Sequence, residues 1–171
     1  HTRQASIQAC PRMIALTAST RDQAVGRLFE VAREGIYVGL LHSADAGSAG
    51  VSLLANPCLR RILGYADGAD HGTVLLFAQA HYADASAREQ LVSALLAGDG
   101  ASDHLLQLRR CDGQPVWVEV TACAEVAPDG TVLVDAFVRD VTERRHLESR
   151  ARGLYRQLAH SEQIAAIDRT L

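Results

Sequence analysis

Residues 109–121 read Arg109-Arg110-Cys111-Asp112-Gly113-Gln114-Pro115-Val116-Trp117-Val118-Glu119-Val120-Thr121. Pro128-Asp129-Gly130-Thr131 follows, and then Val138-Arg139-Asp140-Val141-Thr142-Glu143-Arg144-Arg145. The two Asp-Gly pairs are strong hairpin turns, because glycine accepts the positive φ that tight reversals need. They separate three predicted strands, at about 103–111, 115–127 and 131–140. Leu106, Leu108, Val116, Val118, Val120, Ala122, Val132, Val134, Ala136 and Val138 fall on even positions. Trp117, Glu119, Thr121, Glu125, Asp135 and Arg139 fall on odd ones. A strand repeats every two residues, so these sets lie on opposite faces of one sheet. The almost wholly apolar even set is assigned to the core.

Upstream, Thr20-Arg21-Asp22-Gln23 fits a capping box, which starts a helix with Val25, Leu28, Phe29 and Ala32 along one apolar stripe. Gly35 is expected to end it. Ile36–Leu41 and Val51–Ala55 read as strands, with the Gly/Ser-rich segment from Ala44 to Gly50 as the loop between them. Asn56-Pro57 is a good helix start, an N-cap followed by proline at the first helical position, and Gly64 is a good stop. Residues 66–83 are expected to form short helices and loops. Residues 84–97 form a further helix, with Ala87, Leu91 and Leu95 on one side and Gly98 at its end. In residues 1–18 a helical spacing of Ile7, Cys10, Ile14 and Ala18 is broken by Pro11, which suggests a leader or the end of a preceding helix.

From Thr142 the pattern is helical again. Leu147, Ala151, Leu154 and Leu158 step by four, three and four, the spacing of a coiled-coil seam. Ile164, Ile167 and Leu171 continue on a shifted phase, an interruption that locally changes the winding of a coil. A helix from residue 143 to 171 would be about 43 Å long at 1.5 Å per residue. Its seam most naturally meets a second copy, so a homodimer is predicted.

Composition narrows the function classes. The chain has 171 residues, 48% of them hydrophobic, enough for one domain and an extra element. The net charge of −3 offers no reason to expect nucleic acid or an anionic membrane as partner. All 17 basic residues are arginine, which excludes chemistry built on a P-loop, Schiff-base or general-base lysine. No apolar run approaches the roughly 20 residues of a membrane span, and no signal peptide is visible. The absence of an initial methionine suggests an excised fragment. Cys10, Cys58, Cys111 and Cys123 are too far apart for a CxxC pair and are expected to be reduced, mostly buried thiols. There is no GxSxG, HExxH or GxGxxG motif and no convincing pair of catalytic acids, so the fragment is not expected to be an enzyme.

The order strand–strand–short helices–helix–three strands–long helix resembles the PAS sensory domain over roughly residues 24–145. The residues that carry it are Asn56-Pro57 with Gly64-Tyr65, Asp112-Gly113 before Trp117-Val118-Glu119-Val120, and the closing Asp140-Val141-Thr142-Glu143. The resemblance implies an α+β fold: a five-stranded antiparallel sheet with helices on one face, a flanking N-terminal helix and a long C-terminal coiled-coil helix. It divides the chain into a leader or preceding helix at 1–20, the domain at 21–142 and a signalling helix at 143–171. It also implies that Asp140, Val141 and Thr142 tie the sheet to the output helix, although Asp140 and Thr142 would equally serve as helix caps. His160–Leu171 resembles the segment that precedes the phosphoacceptor histidine of sensor histidine kinases. This implies a cytoplasmic module of a two-component kinase, a transferase, with the kinase core following in the same chain and a parent that could be membrane-anchored. Neither nucleic acid nor direct membrane contact is expected. A diguanylate cyclase output is an alternative, and a small-molecule-binding enzyme of similar architecture is a third reading.

PAS domains often hold a ligand between sheet and helices. Here Val116, Val118, Val120, Val134, Ala136 and Val138 would line the site and offer no hydrogen bonds. Either side chains fill it or its ligand is largely apolar. No metal site and no cofactor are predicted. The Asn-Cys-Arg-Phe-type motif and final-strand glutamine of flavin-binding light sensors are absent. Haem is the remaining alternative: the helix 84–97 has Arg88 near the place where oxygen sensors carry histidine, and His71 or His81 would have to substitute. Both histidines, like His104, also read as plain surface residues.

Overall fold

Local chemistry and strand parity together explain how the elements assemble. The computed structural model describes residues 18–42 and 50–168. In order they form α1 (Ala18–Val31), β1 (Gly35–His42), β2 (Val51–Ala55), α2 (Pro57–Leu63), 3₁₀ turns at His71–Thr73 and Gln79–His81, α3 (Ala85–Leu96), β3 (Ala101–Arg109), β4 (Pro115–Val126), β5 (Thr131–Asp140) and α4 (Thr142–Asp168). The sheet is antiparallel throughout, in the order β2-β1-β5-β4-β3.

Both Asp-Gly turns form. Gly113 and Gly130 have φ of 85° and 82°. Asp112 and Asp129 each accept, through Oδ1, the backbone N–H two residues on, at 2.9 Å. The resulting registers pair even residues with even: Val120 with Val138 across β4 and β5, and Leu106 with Val118 across β3 and β4. All ten even-position residues named above are therefore buried, none more than 3% exposed. In β3, a bulge at Asp103 (φ 47°) inserts one residue between the Ala101 and His104 pairings, which lets the strand start at Ala101 rather than 103. His104 beyond it is half-buried. The β1–β5 register inverts the parity, pairing Gly35 with Val138 and Tyr37 with Ala136. Odd residues of β1 thus face the core, with Tyr37 and Leu41 at 1% and 3% exposure.

Asn56 is the N-cap of α2, its Oδ1 accepting from Leu59 N at 2.9 Å, and Gly64 closes the helix in the left-handed region. Leu59, Ile62 and Leu63 drop from this helix onto the sheet. Helix α3 is capped by Asp84 and buries Arg88, Leu91, Val92 and Leu95 on one stripe, with Ala87 partly buried beside it.

Two expectations about the first helix fail. It begins by Ala18, so Thr20 lies inside it rather than capping it. It ends at Val31, and Gly35 opens β1 instead of closing the helix. Gly35 serves close packing: a Cβ there would meet Leu59 Cδ1 at 3.0 Å and the Val138 carbonyl at 3.1 Å. The predicted stripe also splits, since Phe29 and Ala32 are half-buried while Val25, Leu28 and Val31 are 58%, 67% and 71% exposed. The leader at 1–17, the loop residues 43–49 and Leu171 lie outside the described residues, as does Cys10.

Candidate functional site

The six expected lining residues come together. Val116, Val118, Val120, Val134, Ala136 and Val138 are contiguous on the core face of β4 and β5, each at most 1% exposed. They face α2, α3 and the connecting segment within one hydrophobic core.

That core carries more polar groups than these six residues announce. Tyr37, Ser52 and Tyr82 are 1%, 5% and 6% exposed. Their hydroxyl oxygens are fully buried without a hydrogen-bond partner among the described residues. Tyr37 packs edge-on against Phe77, with ring centroids 5.6 Å apart, and its own ring lies over Gly39, where a Cβ would come within 2.5 Å of its oxygen. Burial pushes its pKa up to about 12, opposed by the neighbouring Ser52 hydroxyl and helped by Tyr65. Burial also drives the Tyr82 phenol upward, against the pull of Arg88, with Tyr37 near enough to add to the rise. Arg88 is 2% exposed, and its Nε donates to the Phe77 carbonyl at 2.6 Å. A buried hydroxyl that gives up water without a replacement partner costs roughly 1–3 kcal/mol, so these three are the least satisfied polar groups of the described core.

Beside it, His81 is buried at 4% and is not the surface residue its loop position suggested. Its Nδ1 lies 2.8 Å from the Arg109 carbonyl and its Nε2 3.0 Å from the Tyr65 hydroxyl, which accepts from Leu75 N. The consistent assignment has Nδ1–H donating to Arg109 and Tyr65 donating to Nε2. Both ring nitrogens are then used. His71 is half-buried, with Nδ1 against the backbone of Ala55. No group of three or more His, Cys, Asp or Glu side chains suited to a metal occurs among the described residues.

The joint between sheet and α4 is built from both ends. The Thr142 hydroxyl oxygen accepts from Trp117 N at 2.9 Å, and Val141 N donates to Trp117 O at 2.9 Å. Val141 is 3% exposed and acts as the plug of the joint. Asp140 divides its carboxylate: Oδ1 accepts from Thr142 N at 2.9 Å, and Oδ2 lies 3.3 Å from Arg110. Of the two expected caps, Asp140 thus serves the first turn of α4, while the Thr142 hydroxyl bonds across to β4. Arg145 stacks over Trp117 at 4.3 Å, and Arg144 pairs with Glu119 at 2.5 Å. The first turn of α4 is therefore held to the outer face of β4.

Beyond that turn α4 leaves the sheet. Leu147, Leu154 and Leu158 are 58%, 62% and 60% exposed, and Ala151 is exposed. The phase-shifted side chains of Ile164 and Ile167 lie outside what is described. Two thiols correct the expectation of burial: Cys58 is buried, but Cys111 and Cys123 are exposed. Cys111 sits in the β3–β4 turn, and Cys123 is an odd residue on the outer face of β4.

Tyr65, His81 and the three hydroxyl residues were missed as a group. One signal was available. Arg88, Leu91, Val92 and Leu95 share i, i+3, i+4, i+7 spacing, which places a charge at the head of a buried stripe.

No family model matches the chain, and no curated protein does. Solved structures do. A protein described as an RNA-binding light-oxygen-voltage receptor is 24% identical over 88% of this chain, with a TM-score of 0.61. This chain spans only 42% of that receptor's length. A PAS domain from Colwellia psychrerythraea is 15% identical over 72% of this chain and 98% of its own, with a TM-score of 0.54. The PAS domain of an HTR-like protein from Haloarcula marismortui is 20% identical over 71% of this chain and 93% of its own, with a TM-score of 0.50. With its strand order, its helices on one face and these likenesses, the chain has the α+β fold of a PAS domain.

Proposed function

We propose that this chain is a signal-sensing and dimerisation module that passes a conformational change through α4 to a histidine kinase core following in the same polypeptide. The observation that carries this reading is the joint at Trp117. One residue of β4 bonds through its N–H to Thr142 and through its carbonyl to Val141. A shift of β4 or β5 therefore moves the base of a helix 27 residues long. Such a helix, about 40 Å at 1.5 Å per residue, turns a small rotation at its base into a large displacement at its tip.

Dimerisation uses Leu147, Ala151, Leu154 and Leu158, with the exposed Val25, Leu28 and Val31 of α1 as a second apolar surface. Exposed side by side, such residues favour a partner over water. Sedimentation of the purified fragment tests this. Wild type sediments as a dimer, and Leu154→Asp shifts it toward monomer. A monomeric wild type, or a variant as dimeric as wild type, removes the seam from the reading. The fragment itself performs no chemistry in this reading and works in the cytoplasm, in contact with neither nucleic acid nor membrane. No helix among the described residues is long and apolar enough to cross a membrane.

A second reading, ligand binding in the core, is favoured by the three unpartnered hydroxyls. They suit a small ligand with hydrogen-bonding atoms better than a purely apolar one. Haem at His81 is disfavoured, since both its nitrogens are engaged. Native mass spectrometry decides between a bare chain and one carrying extra mass, and an absorbance spectrum separates haem or flavin from a colourless ligand.

A further inference from the structure

A second site lies outside the core, against the joint. A cleft of about 390 Å³ opens between the end of α1, α2, the β3–β4 turn and the end of β5. Arg33, Arg61, Arg110 and Arg139 line it, with Cys58 beside them, and Asp140 is its one carboxylate. Four guanidinium groups around one small opening repel one another, and a single acid does not balance them. Arg139 is already matched, since its Nη2 lies 2.5 Å from Glu34 outside the lining set. Arg33 and Arg61 take part in no ion pair among the described residues.

Arg110 is held loosely. Its Nη2 is 3.3 Å from Asp140 Oδ2, and its Nη1 is 3.5 Å from the Arg61 carbonyl. Strong charge-assisted bonds of this kind run about 2.7–2.9 Å. Both partners are about one-third exposed, at 32% and 35%. A solvated, stretched pair is worth little and is readily exchanged. Arg61 also lies in the last turn of α2, where a cation complements the helix dipole, so its position alone has a structural explanation. That explanation does not reach Arg33, Arg110 or Arg139, which arrive from three other segments.

We propose that this cleft binds a phosphate-class oxyanion, either inorganic or carried on a nucleotide, and that the anion competes with Asp140 for Arg110. Guanidinium forks match the geometry of phosphate oxygens, and Arg33, Arg61 and Arg110 supply the donors. Binding draws Arg110 off Asp140, whose other oxygen still caps Thr142. The carboxylate at the base of α4 thereby loses its countercharge. As a regulatory input the site rests on reading the Asp140 joint as the output hinge. As a binding site it does not, so the two can fail separately.

The test is titration calorimetry of the whole fragment at fixed ionic strength, with inorganic pyrophosphate and with a nucleoside diphosphate as probes. Saturable binding of one anion per chain is expected. Arg61→Gln and Arg110→Gln each weaken it by about tenfold, the loss of one charge-assisted contact. Asp140→Asn removes the competitor and tightens binding several-fold while saturation stays at one anion per chain, a stoichiometry that a diffuse basic surface does not show. Equal affinity for both probes makes the phosphate the recognised group, and tighter nucleotide binding makes the source a nucleotide. Unaltered thermal melts certify the variants' folds, and the exposed Arg61→Gln stands in if Arg110→Gln unfolds. The proposal is overturned if neither probe saturates at millimolar concentration, or if Asp140→Asn leaves the affinity unchanged or weaker.

Discussion

Asn56→Ala should be among the most damaging single changes in the domain. Asn56 is wholly buried, and its side chain makes four hydrogen bonds to backbone. Oδ1 accepts from Leu59 N, capping α2, and from Ile36 N at the start of β1, both at 2.9 Å. Nδ2 donates to Glu34 O at 2.9 Å and to Phe29 O at 3.2 Å. One amide therefore fastens α1, β1 and α2 together. Losing the cap costs about 1 kcal/mol. The Ile36 N–H and the Glu34 carbonyl are each stranded in a part-buried place, at roughly 1–3 kcal/mol apiece. The total, about 3–7 kcal/mol, is a large share of the roughly 5–15 kcal/mol that holds a domain folded. Urea unfolding followed by circular dichroism reads it directly, and the melting temperature should fall by roughly 10–20 °C. Asn56→Asp sharpens the test. It keeps the acceptors but turns one oxygen toward two carbonyls, so burial and repulsion raise its folded pKa above the unfolded value. The folded state then binds the extra proton, and stability of this variant should climb as pH falls from 7 toward 5. An Asn56→Ala protein that loses less than about 1.5 kcal/mol with unchanged urea dependence would refute the reasoning.

Three further outcomes follow from the same structure. Thr142→Val strands the Trp117 N–H and should cost about 1–2 kcal/mol, with faster amide exchange in the first turn of α4 while β1 and β2 keep wild-type protection. The raised pKa of Tyr37, about 12, means that the unfolded chain releases its proton first as pH passes 10. Stability contributed by the neutral phenol is thus full below pH 10 and lost between 10 and 12, a loss that Tyr37→Phe should lessen in alkaline unfolding curves. Cys111 and Cys123 should react with a thiol reagent in the native protein well before Cys58, which is only 9% exposed at the wall of the arginine-lined cleft; labelling of Cys58 as prompt as theirs would contradict its burial.

Much of the fold was legible in the chain because its signals are local. Asn56-Pro57, Gly64, Asp112-Gly113 and Asp129-Gly130 specify their turns and caps through the conformational preferences of one or two residues. The alternation from Leu106 to Val138 specifies a face through a period of two, and both hairpin loops preserve that parity. The joint was legible too, since Asp140 and Thr142 end a strand and begin a helix. Gly35 misled because a glycine after a helical stripe looks like a cap, whereas its reason for being glycine is Leu59, 24 residues away in sequence.

What the tertiary structure alone decided is which polar groups meet. The β1–β5 register inverts parity, so Tyr37 enters the core from a strand whose short apolar run showed no preferred face. Ser52, Tyr82 and Arg88 reach the same core from β2, the connecting segment and α3. Arg33, Arg61, Arg110 and Arg139 likewise converge on one cleft from four segments. Turns, caps and faces follow from neighbours along the chain. Sites depend on the packing of segments remote in sequence, and no local preference encodes that distance.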